Sequence, residues 1–220
     1  MELLTRILLT IHVAAGSVAL ICAFIAISVK KGRKAHNLVG RTYFVAMMGV
    51  ATTALPVAII RPNAMLFLVA LFSSYMAYIG WRFGRLARVK NQANPIVEWA
   101  MVIVAVIMVG YGLFSVITGT AMGWVVVAFG GIGLQFAITD LKVAKIKLDF
   151  ANRIIAHLQH MLGGTIATVT AVLVQQVVTR MEPSDPWAVA VWLAPTVVIS
   201  PLIAVWSRKV LTTKKVKLFN

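Results

Sequence analysis

The sequence is poor in cysteine and in negative charge: it has one Cys, at position 22, and six acidic residues against 21 Lys and Arg in 220. A single thiol in the middle of an apolar run excludes an intrachain disulfide and a cysteine metal cluster. Charged residues make up only 12%, where soluble domains carry about a quarter, so a solvated globular surface is excluded as well. The net charge is +15, yet the basic residues sit only in gaps between apolar runs. They form no folded basic face, and nucleic acid is not the partner they imply. There is no phosphate-binding glycine loop and no Gly-x-Ser-x-Gly elbow. The last apolar run, Trp187 to Ser207, has no lysine that could carry retinal. No internal repeat supports a transporter built of inverted halves.

What is present is hydrocarbon. Hydrophobic residues make up 60% and mean hydropathy is +0.91. Seven runs are long enough to cross roughly 30 Å of bilayer core at about 20 residues each. They fall near 6–29, 39–60, 64–84, 96–118, 122–140, 153–178 and 187–207. Turn chemistry marks the breaks: Arg61-Pro62-Asn63, Asn94-Pro95, Gly119 to Gly123, and Glu182 to Pro186. The expected fold is all-α, a seven-transmembrane helix bundle forming a single integral-membrane domain over 1–220. The first run is longer than a signal-peptide core and ends in Lys30-Lys31-Gly32-Arg33-Lys34, a stop-transfer pattern, so it reads as a retained helix.

Alternate gaps differ sharply in Lys and Arg. Of the 21, only Arg6, Arg61 and Arg180 lie on one side; all others lie in the first, third and fifth gaps, their flanks, or the C-terminal tail. The positive-inside rule then predicts the N-terminus outside and the C-terminus cytoplasmic. Trp81, Trp99, Trp124, Trp187 and Trp206 sit near span ends, as an aromatic belt requires.

Ionisable residues inside spans are costly in lipid and are functional candidates by default. His157 and His160 lie one and two turns into the sixth span, with i, i+3 spacing that puts both on one face. Asp140 ends the fifth span, Glu98 opens the fourth, and Tyr75, Tyr78 and Arg82 share a face of the third. His36, followed by Arg41 and Tyr43, stands at the entry of the second, inside Lys30-Lys31-Gly32-Arg33-Lys34-Ala35-His36. All of these map to the cytoplasmic end. Asp140 is positioned to hold an imidazole in one tautomer. His12 stands apart, roughly 10 Å inside the opposite surface, and a helix-bridging hydrogen bond is its simplest role. Contact with lipid phosphate is the simple role for His36, and pairing with loop cations that for Asp140 and Glu98.

The pattern His12-x3-Gly16, Lys31-Gly32-x3-His36-x3-Gly40-Arg41-x-Tyr43, then Asp140, His157, Met161 and Thr165 to Ala171 resembles an uncharacterised family of predicted bacterial polytopic membrane proteins, a domain of unknown function. The resemblance covers most of the chain. It implies seven helices in a bacterial inner membrane, with positions 12, 36, 41, 140 and 157 belonging to the pattern; an arginine or another residue is usual where this chain has His160. It implies no activity.

Three function classes remain. A b-type haem or other redox cofactor would use two imidazoles from His12, His36, His157 and His160, with Arg41 or Arg82 meeting its propionates; Tyr43 lies beside this set. A zinc site in an intramembrane hydrolase would use His36, His157 and Asp140 and keep a position open for water. A small proton- or ion-coupled transporter, or a structural subunit, would line a path with the same residues. A polar track running from the cluster through Tyr78, Tyr75 and Ser74, or through Thr165 and Thr168, would favour the third. The lipid bilayer is the partner in each class, with a second copy of the chain or a membrane-complex partner as further candidates.

Overall fold

The computed structural model describes residues 1–85, 95–144, 148–181, 185 and 187–219, those from 213 onward as backbone alone. Asn94, Glu182, Pro183, Ser184 and Pro186 at the expected breaks, and Arg88, Lys90, Lys145 and Lys147 among the loop cations, lie outside the described residues. The described residues contain no strand. They form α1 (Glu2–Ser28), α2 (Lys34–Ile60), α3 (Ala64–Arg85), α4 (Ile96–Ile117), α5 (Gly123–Ala144), α6 (Phe150–Gln176) and α7 (Trp187–Phe219), with a single 3-10 turn at Val178–Arg180. Among the described residues seven helices are long and apolar enough to cross a membrane.

Two boundaries differ from the apolar runs. Helix α2 begins at Lys34, five residues before the expected 39, and α7 runs on through the basic tail to Phe219. Backbone bonding explains both: a helix leaving hydrocarbon keeps its peptide groups paired by continuing, whatever side chains it carries. The chain enters α2 through Gly32, whose φ of 73° favours a residue without a Cβ. His36 is therefore a first-turn helical residue, fixed to α2, and not a loop histidine. At α6 the Asp149 side chain caps the helix by accepting from the Asn152 amide at 2.9 Å.

Helix α3 is the hub. It packs on α2, α4, α5 and α6, while α1 lies along α2, α4 pairs with α5, and α7 lies along α6. Phe72, Met76, Ile79, Met101, Met108, Val125, Val126 and Phe129 fill the core around it. Outward residues such as Ile21 and Phe24 on α1, Ile103 and Phe114 on α4, and Val197 and Val198 on α7 are exposed and apolar, a surface that suits hydrocarbon and not water. The ends of α3 and α5 and the starts of α2, α4 and α6 share one end of the bundle. Lys30, Lys31, Arg33, Lys34, Arg82, Arg85, Lys142 and Arg153 cluster there and make it the basic end.

Candidate functional site

Close approach of α3 and α6 builds the site. Gly80 and Gly84 are four residues apart on α3, a spacing that lets membrane helices touch. A Cβ on Gly84 would lie 2.9 Å from His157 Nδ1, and one on Gly80 would lie 3.1 Å from the Cβ of His160 and from the Met161 backbone nitrogen. Both positions are thus occupied by α6 instead of by side chains. His157 uses the proximity: its Nδ1–H donates to the Gly80 carbonyl at 2.7 Å.

The ring of His36 lies 6.3 Å from that of His157, centre to centre, with the planes at 82°. His36 Nδ1–H donates to the Ala26 carbonyl at 3.2 Å, an oxygen that also accepts from Lys31 Nζ at 3.1 Å. A carbonyl can only accept, so each ring carries a proton on Nδ1, and in the neutral ring Nε2 is then the free lone pair. Both rings are partly buried.

One turn deeper, His160 is bonded on both sides. Its Nδ1–H donates to the Ala156 carbonyl at 2.8 Å, and its Nε2 lies 2.8 Å from Asp140 Oδ2. Tyr75 donates its hydroxyl to the same Oδ2. His160 and Asp140 are 1% and 2% exposed. The rings of Phe136, Phe83 and Tyr75 surround the imidazole at 4.7, 5.7 and 6.1 Å. Beside this group Arg82 donates to Glu98 Oε1, and Glu98 Oε2 is buried without a hydrogen-bond partner among the described residues. Arg153 is buried at the basic end, its Nη1 donating to the Phe83 carbonyl at 3.4 Å.

The residues expected at one end thus separate into two groups. Asp140 holds an imidazole as expected, but it is His160. The His36, His157, Asp140 metal set does not form, because Asp140 is committed to Tyr75 and His160. Among the described residues no group of three or more His, Cys, Asp or Glu is placed to hold a metal ion. Glu98 pairs as expected with a cation, though one inside α3. That pairing engages Nη2 of Arg82, a residue expected to meet propionates. Arg41 is exposed on α2, and Tyr43 is buried at a point where a Cβ on Gly164 would come within 2.6 Å of its hydroxyl.

His12 is remote: its Nδ1–H faces the Val50 carbonyl and Thr53 Oγ1, each at 3.2 Å, and so bridges α1 to α2. The polar tracks do not run on as hydrogen-bonded chains, since Ser74, Thr165 and Thr168 donate to carbonyls of their own helices. Sequence reasoning missed Gly80 and Gly84; their spacing is visible in the sequence, but not the helix they face. No protein-family model, no curated protein and no solved structure matches the chain.

Proposed function

We propose that the protein is a bacterial inner-membrane protein that binds a redox cofactor through His36 and His157, with b-type haem as the group that fits best. The observation carrying this reading is the matched state of the two rings. Metal-bound histidines usually donate the other ring N–H to a carbonyl or carboxylate, which fixes the tautomer and aims the ligating nitrogen. Ala26 and Gly80 do this for His36 and His157. A metal-centred cofactor would be held by the Nε2 atoms of these two rings, which are neighbours on α2 and α6. The rings stand 6.3 Å apart.

The donor set favours haem over zinc. A zinc site takes three or four protein ligands, and Asp140, the carboxylate expected in that set, is engaged elsewhere. Haem would be held by His36 and His157 and would supply one-electron chemistry when bound. Arg41, exposed on the helix that carries His36, is a cation available to a propionate. The resemblance of the His12, His36 and Gly40-Arg41-x-Tyr43 pattern to the uncharacterised family of bacterial membrane proteins belongs to the same reading, as does a cytoplasmic basic end.

The test is an absorption spectrum of protein expressed with excess haem precursor and purified in mild detergent, oxidised and dithionite-reduced, with bound metals measured on the same sample. A Soret band that shifts on reduction, lost in His36→Ala and His157→Ala and kept in His12→Ala, is the expected result. A colourless wild type, or full haem occupancy in His157→Ala, would overturn the assignment.

A further inference from the structure

A second function is carried by the deeper group and does not depend on the cofactor. We infer that Asp140 and His160, locked by Tyr75, form a buried proton-holding site, and that the structure captures it in the loaded state.

The hydrogens in this group can be counted. The Ala156 carbonyl cannot donate, so His160 Nδ1 carries a hydrogen. If Nε2 were then bare and Asp140 ionised, two sets of lone pairs would face each other at 2.8 Å with nothing between them. The contact is a hydrogen bond only with one further proton, on Nε2 or on Oδ2. Tyr75 does not supply it, because its hydroxyl hydrogen already goes to Oδ2 and it has no other to give. The pair therefore holds one exchangeable proton. Imidazolium with carboxylate and imidazole with carboxylic acid are its two forms, and both are net neutral.

The surroundings suit a site that loads and unloads, not a static bond. Three aromatic rings wall off His160, so the proton is held away from bulk water and its loss leaves one uncompensated negative charge. Charged groups of both signs lie near the pair on the neighbouring helices. Helix α3 contributes Arg82, α4 contributes Glu98, and both are within electrostatic reach of Tyr75. Helix α6 contributes Arg153, and His157 one turn above His160. Glu98 has a buried oxygen, Oε2, without a hydrogen-bond partner among the described residues, and Arg82 opposite it is partly exposed at the basic end. Loading takes one proton from water and binds it between Oδ2 and Nε2, and unloading returns it to water, taking the site from minus one to neutral and back. Intramembrane carboxylate–histidine groups of this kind mark proton relays.

The experiment is a difference titration. Purified wild type and His160→Gln, in the same detergent, are titrated potentiometrically from about pH 5 to about pH 10, a window that brackets histidine. Glutamine can still donate an amide N–H to Asp140 but cannot hold the exchangeable proton. Wild type should release about one more proton per chain than the variant, while Tyr75→Phe, which keeps the pair, should still release it. Superimposable wild-type and His160→Gln curves from two proteins of equal helix content would overturn the proposal. Should His160→Gln lose helix content, Asp140→Asn is compared by the same count. Infrared difference spectra of the wild type across the same window give a reading independent of any variant: a carboxylic-acid or imidazolium band that titrates supports the site, and its absence overturns it.

Discussion

His157 and His160 are one turn apart on the same helix and face the same neighbour, yet they meet opposite fates. His157, at the edge, has one ring nitrogen bonded and the other bare beside His36. His160, in the interior, has both nitrogens engaged and is sealed by aromatic rings. A bare nitrogen on a partly buried ring is available to something from outside; a doubly bonded ring in a dry pocket can only exchange what it already holds. One turn of depth separates a ring with a nitrogen to spare from a ring with none.

That contrast can be broken most forcefully from the interior. Arg82→Ala leaves Glu98 buried with no cation, a defect that costs roughly 3–5 kcal/mol. It should show as a large fall in the unfolding midpoint in mild detergent, and Arg82→Met combined with Glu98→Gln should recover most of it. A next effect comes from the helix contact that serves both histidines. Gly84→Ala puts a methyl group against His157, an overpacking that typically costs about 1–3 kcal/mol; it should loosen α3 from α6 and lower cofactor occupancy together. His157→Gln sharpens the contrast, because glutamine can keep a bond to the Gly80 carbonyl. Stability should change by no more than about 1.5 kcal/mol, whereas the reduced-minus-oxidised spectrum should vanish. The smallest effect belongs to His12→Ala, about 0.5–1.5 kcal/mol for a lost interhelical hydrogen bond, with titration and spectrum unchanged.

Much of this was legible in the sequence. The seven spans, the breaks at Arg61 to Asn63 and at Gly119 to Gly123, and the gathering of His36, Arg82, Glu98, Asp140, His157 and His160 at one end were open to a reading of hydropathy and turn residues, because a polar residue inside an apolar run is visible without any structure. Pairings were not legible. Whether Asp140 meets His36, His157 or His160 depends on the rotation of α5 and α6 about their axes, and neither helix is strongly amphipathic enough to announce it. The choice is made by Gly80 and Gly84 on a third helix, through contacts that no spacing rule connects to position 140. The extension of α2 to Lys34 was also missed, because hydropathy locates the membrane and not the end of backbone pairing.

Gly80 has a mechanical consequence. Its carbonyl holds His157, and the space left by its missing side chain admits the backbone of α6 at His160 and Met161. The same residue thus sets how closely α3 and α6 lie. A larger side chain there would push α6 back, lengthening the hydrogen bond of the outer histidine and displacing the inner one in the same movement.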